Sequence, residues 1–70
     1  MTPEEAVRRV LEDADEPLHW TVIQDRGLRA GLLDPFEITD VKGAVLTALR
    51  ALVADGSVEK TSTGVYVLVG

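Results

Sequence analysis

Seventy residues carrying seven Lys and Arg against twelve Asp and Glu, a net charge of −5, make one small acidic domain with one core. The absence of Cys excludes disulfides and thiolate metal sites and fits a reducing cytosol. No apolar run approaches the ~18 residues of a membrane span, and the polar start Met1-Thr2-Pro3-Glu4-Glu5 is no secretory signal.

The chain opens on a compact helix start. Thr2 can cap, Pro3 suits the first helical position, and Glu5 completes a Thr-x-x-Glu capping box. Ala6, Val7, Val10, Leu11 and Ala14 then form one stripe at helical spacing, with Arg8, Arg9, Glu12 and Asp13 facing out. Pro17 disfavours helix at Glu16, so the helix is expected to end near Asp15. Leu18-His19-Trp20 reads as a short extended segment, a third strand beside a later hairpin, and His19 as a helix-entry residue whose ring bonds nearby backbone. Trp20 reads as a core or core-edge residue. Thr21 is placed as the cap of a second helix over Val22 to Ala30, and Gly31 as its stop, followed by Leu32-Leu33 returning to the core. In the turn-rich Asp34-Pro35-Phe36-Glu37 connection and just after it, Phe36 and Ile38 are expected to plug the core.

Thr39 or Asp40 caps the third predicted helix, Asp40 to Ala54. Its buried stripe is Val41, Ala44, Val45, Ala48, Leu49, Leu52 and Val53, and Gly56 ends it. Lys42, Gly43, Leu46, Thr47, Arg50, Ala51 and Ala54 lie on or toward its outer face. Beyond Gly56 the period changes from helical to alternating. Val58-Glu59-Lys60, a Thr61-Ser62-Thr63-Gly64 tip and Val65 to Val69 make a hairpin, with Val65, Val67 and Val69 pointing one way and Tyr66 and Leu68 the other. Cross-strand packing is the expected role of Tyr66. The predicted core is Val7, Val10, Leu11, Leu18, Ile23, Leu32, Val45, Leu49, Leu52, Val58, Val65 and Val67.

Three helices followed directly by a hairpin predict an α+β winged helix-turn-helix, with residues 1–70 as a single domain. Catalysis has no visible carrier. His19 is the only His, the acids are scattered over helix surfaces, and there is no Gly-rich phosphate loop. The expectation is a chain that is no enzyme and holds no metal or cofactor.

In a helix-turn-helix the second helix of the motif enters the major groove. Here that is the third helix, with Lys42, Thr47 and Arg50 exposed. Arg50 suits a guanine edge and Lys42 a phosphate. Lys60 and Thr61, with Ser62 and Thr63, lie on the wing, while Arg26 and Arg29 sit on the preceding helix and can approach flanking phosphates. Each of these is also an ordinary solvent-facing residue type. Charge is split along the chain. Residues 1–40 hold ten acids against four Arg, a net −6, whereas residues 41–70 hold three bases against two acids, a net +1. Phosphate neutralisation supplies most duplex affinity, so only the C-terminal segment suits DNA, and weakly by itself.

Glu5-Ala6-Val7 with Val10-Leu11, the run Glu16-Pro17-Leu18-His19-Trp20-Thr21-Val22-Ile23, Gly31-Leu32 and the closing Gly64-Val65-Tyr66-Val67-Leu68 resemble the HARE-type helix-turn-helix family. The resemblance implies a winged-helix fold. Members occur in chromatin and restriction proteins and in the delta subunit of bacterial RNA polymerase, where they are proposed to bind DNA or act as transcription adaptors. The chain departs at Thr39-Asp40, where the family often has Thr-Pro. Two functions follow as expectations. One is a DNA-binding or transcription-associated module contacting double-stranded DNA through residues 40–54 and 58–69. The other is an adaptor docking through its acidic surface on a protein such as polymerase or a restriction subunit. A homodimer is compatible with either; a cytoplasmic location is expected and a membrane partner is not.

Overall fold

The computed structural model describes residues 1–69, so Gly70, the last residue of the expected domain, lies outside the described residues. Helix α1 (Pro3–Ala14) leads into strand β1 (Leu18–His19), helix α2 (Trp20–Arg29), helix α3 (Val41–Ala54) and a hairpin of β2 (Val58–Ser62) and β3 (Val65–Leu68). The strands form one antiparallel sheet in the order β1-β3-β2, and with the three helices this is the α+β winged helix-turn-helix arrangement.

The α1 start is the reciprocal capping box expected of Thr2 and Glu5. The Glu5 N–H donates to Thr2 Oγ1 at 3.2 Å, and the Thr2 N–H donates to Glu5 Oε1 at 3.3 Å. At the other end Asp15 turns left-handed, φ 53°, two residues before Pro17. The α2 start differs from expectation. The helix begins at Trp20 rather than Val22, and its cap is His19 rather than Thr21. The His19 ring supplies the acceptor, taking the Thr21 N–H on Nδ1 at 3.3 Å, while the Thr21 hydroxyl lies 2.8 Å from the same nitrogen. The ring thus bonds nearby backbone as expected, and β1 shortens to two residues because the helix takes Trp20.

Gly31, φ +74°, ends α2. Its N–H reaches the Leu28 carbonyl and the Leu32 N–H the Gly27 carbonyl, a Schellman closure. Of the two leucines expected to return to the core, Leu33 is fully buried at 2% exposed, and Leu32 of the predicted core set packs half-buried against it. Leu33 seats on Gly27, which explains a glycine inside a helix. A Cβ there would lie 2.6 Å from Leu33 Cδ1 and 3.0 Å from Cγ. Gly27→Ala gains up to about 1 kcal/mol in helix propensity. It overpacks a buried leucine at a cost of about 1–3 kcal/mol. Net destabilisation is expected in urea denaturation, and a stabilised variant would show the Leu33 seat to be loose.

Phe36 is not a core plug; it is 98% exposed. Asp34 organises the turn, its Oδ1 accepting the Phe36 N–H at 2.9 Å and its carbonyl accepting the N–H groups of Glu37 and Ile38. That turn aims Ile38 at the core and Phe36 outward. Of the two candidate caps for α3 it is Asp40 that serves, accepting the Gly43 N–H at 3.0 Å. Val45, Ala48, Leu49 and Leu52 are buried, Val41 and Ala44 half-buried. Val53 departs from the predicted stripe and is 39% exposed. Gly56, φ +86°, closes the helix in a second Schellman motif, with Ser57 N–H on the Leu52 carbonyl and Gly56 N–H on that of Val53. Arg8 of α1 donates to the Ser57 hydroxyl at 2.6 Å, tying the first helix to the entry of β2.

The hairpin tip is shorter than expected. Thr61 and Ser62 belong to β2, with a bulge between Lys60 and Ser62, and only Thr63-Gly64 turns. The parity of β3 is the reverse of the predicted core assignment. Tyr66 is buried, while Val65 and Val67 are half-buried. Leu18 of β1 pairs with Tyr66 and Val58 of β2 with Leu68, and both Leu18 and Val58 are buried. Those neighbours fix which residues of β3 face the helices. Ala6 and Ala48, from the predicted helix stripes, together with Leu33 and Tyr66, complete a core otherwise made of the predicted set.

Candidate functional site

The outward surface of α3 and the adjoining hairpin form one face. All seven candidate contact residues are exposed, but the fold does not gather them equally. Arg50, from the outer strip of α3, and Lys60, from β2, line a common groove of about 340 Å³ with Leu46, Val53, Ala54 and Tyr66. The register makes this possible: Lys60 stands opposite Tyr66 on the same face of the sheet, and Tyr66 is buried as part of the core. Lys42 turns to α2 instead, its Nζ 5.2 Å from the centroid of the Trp20 ring. Thr47 lines a different concavity, with Thr2, Pro3 and Glu4 at the start of α1 and Asp40 and Gly43 at the start of α3. Thr61 stands at the bulge of β2. Arg29 is paired with Asp25 one turn back, Nε to Oδ2 at 3.0 Å, and Arg26 shares the last turn of α2, where the helix dipole favours cations.

The wing is seated by the Leu18-His19-Trp20 step. The Trp20 N–H donates to the Gly64 carbonyl at 2.9 Å. A Cβ on Gly64 would lie 2.8 Å from His19 Nε2 and 3.3 Å from Trp20 Cδ1, so glycine lets the hairpin tip close on these two rings. The Pro-Leu-His-aromatic segment therefore pairs β1 with β3, caps α2 and holds the wing. Trp20, half-buried at the core edge, also steadies the Lys42 ammonium.

Charge is partitioned by element. Between its caps α3 carries Lys42 and Arg50 and no acid, whereas α1 carries Glu4, Glu5, Glu12 and Asp13 against Arg8 and Arg9. Two acids are engaged locally. Hydrogen bonds from the Thr2 hydroxyl, then from its backbone N–H, hold the Glu5 carboxyl below its ordinary value. The Ser57 hydroxyl and N–H, helped by nearby Arg8, do the same for Asp55 at the end of α3. Asp55 is thus directed into the turn after the helix.

No family model matches the chain, and no curated protein or solved structure is significantly similar to it. Among the described residues no three His, Asp or Glu side chains gather as a metal site. No described helix is long and apolar enough to cross a membrane.

Sequence reasoning singles out Arg50 and Lys60 but not their shared groove, nor the part played by Leu46, Val53 and Tyr66 in lining it. The one available signal is the apolar excess of α3, whose outer side keeps half-buried Leu46 and exposed Val53 beside Arg50.

Proposed function

We propose that this domain is a non-enzymatic DNA-binding, transcription-associated module that contacts duplex DNA through α3 and the wing. The observation that carries the reading is the convergence of Arg50 and Lys60 on one groove beside an α3 that holds no acid. Gly43, Thr47 and Ala54 keep the outer strip of the helix low, which suits close approach to base edges. Arg50 is the base-reading candidate, and Lys42 and Lys60 are phosphate contacts. With so few cations and a net charge of −5, affinity for one isolated domain is weak and falls steeply with salt.

An NMR titration with short duplex DNA at low and moderate salt tests this. Shifts should be confined to α3 and the wing. Arg50→Ala should lower specific affinity by about 1–3 kcal/mol. Lys60→Ala should weaken all sequences alike and reduce the salt slope by about one. No shift at low salt overturns the reading.

A second reading is favoured by the exposed acids at the end of α1, where Glu12, Asp15 and Glu16 flank Leu11, Val67 and Leu68. This surface suits a basic protein partner, with polymerase or a restriction subunit as the class of complex. In the same titration, DNA-silent spectra together with shifts on α1 from a basic partner favour it.

A further inference from the structure

Two features of the surface complement each other, and only the second of them serves the proposed duplex contact. One is Phe36, the most exposed large apolar side chain described. It is presented on an ordered turn. Leu33 anchors the turn in the core on one side and Ile38 packs against the core on the other, while Asp34 bonds the N–H groups of Phe36, Glu37 and Ile38. Pro35 further restricts the turn. An aromatic ring held outward in this way loses little freedom on binding. Glu37 beside it and Asp34 two residues before it are exposed acids.

The other feature is the groove between α3 and the hairpin. Leu46, Val53, Ala54 and Tyr66 supply its apolar surface, and Arg50 and Lys60 supply its charge. Its volume, about 340 Å³, exceeds the room a phenyl ring needs. Phe36 is 98% exposed, so it does not occupy the groove of its own chain.

We propose that the Asp34–Glu37 turn of one copy docks into the Arg50–Lys60 groove of a second copy, with the Phe36 ring on Leu46, Val53 and Tyr66 and the flanking carboxylates against the two cations. An acidic rim meeting a basic rim around an apolar contact is the complementarity that selects this occupant. The contact joins two different patches of the same chain. It closes as a dimer if both copies reciprocate and otherwise runs head to tail. The patch is small compared with a standard interface, so the association is weak and shows at high protein concentration. It does not rest on duplex binding, but it covers Arg50 and Lys60 and therefore competes with it.

The test is sedimentation of the intact chain, without DNA, over about a hundredfold concentration range, paired with backbone NMR shifts on dilution. The expected result is concentration-dependent association with dilution shifts at Phe36, Leu46, Arg50, Val53 and Lys60. Phe36→Ser, at a site that is fully exposed and therefore leaves the fold intact, should weaken association at least about tenfold, as loss of an aromatic anchor does. Glu37→Lys and Arg50→Glu should each weaken it alone, because each sets like charges together. An equimolar mixture of these two variants should recover association, because the altered turn then meets the altered groove. A chain that stays monomeric throughout overturns the proposal, as does association that survives Phe36→Ser or a mixture that recovers nothing. If the chain is monomeric but duplex DNA shifts the groove residues, the groove belongs to nucleic acid alone; the docking proposal fails while the DNA reading stands.

Discussion

Leu49→Ala is expected to destabilise the domain by about 2–5 kcal/mol, the range for truncating a buried leucine. Leu49 is 0% exposed, sits at the centre of the inward stripe of α3, and belongs to the cluster that joins α1, α2 and the sheet. Little in a seventy-residue chain can relax around the void. Typical stability of about 0.05–0.15 kcal/mol per residue means that the loss is comparable to the whole folding free energy. A domain of this size shifts its Tm by about 4–8 °C per kcal/mol. Thermal melting followed by circular dichroism should therefore show a fall of at least about 8 °C, or an unfolded chain at room temperature. A silent substitution would mean that α3 is rotated about its axis from the orientation described, and the outward assignment of Arg50 would fall with it.

Tyr66→Ala should cost about 3–5 kcal/mol, as removal of a buried aromatic does. Tyr66 is 9% exposed on the central strand, paired with Leu18 on one side and Lys60 on the other. Its loss opens the space between the sheet and α3 and removes part of the surface shared by Arg50 and Lys60. Val67→Ala is the control. One residue along the same strand, Val67 is half-buried and stands opposite the exposed Glu59, so its truncation should cost markedly less. Paired urea midpoints with unchanged m values measure the difference. A larger loss for Val67 than for Tyr66 would invert the parity of β3 and dissolve the groove.

These two substitutions bear differently on function. Leu49→Ala removes the platform and with it every surface property. Tyr66→Phe, by contrast, keeps the ring against the core, so it should preserve both the fold and the contact face. Trp20 bears on the face rather than the core: it holds the Gly64 carbonyl and lies beside the Lys42 ammonium.

Local chemistry made much of the chain legible in the sequence. Thr2, Pro3 and Glu5 announce α1 because a capping box needs only four consecutive residues. Gly31 and Gly56 mark helix ends because left-handed closure is a property of the turn itself. The Val45-Ala48-Leu49-Leu52 stripe is visible because helical burial repeats along the sequence. From such signals the order of elements and the winged-helix architecture follow. Tertiary packing decided what local signals leave open. Residues Val65 to Val69 are apolar on both faces of the strand, so alternation alone could not say which face turns inward; the pairing of buried Leu18 with Tyr66 did. Between Leu32 and Leu33 the closeness of Gly27 chose Leu33, and at the Asp34 turn the hydrogen bonds chose Ile38 over Phe36. The meeting of Arg50 with Lys60, and the separation of Lys42 toward Trp20, depend on how the hairpin packs on α3, a relation between segments that no stretch of sequence carries by itself.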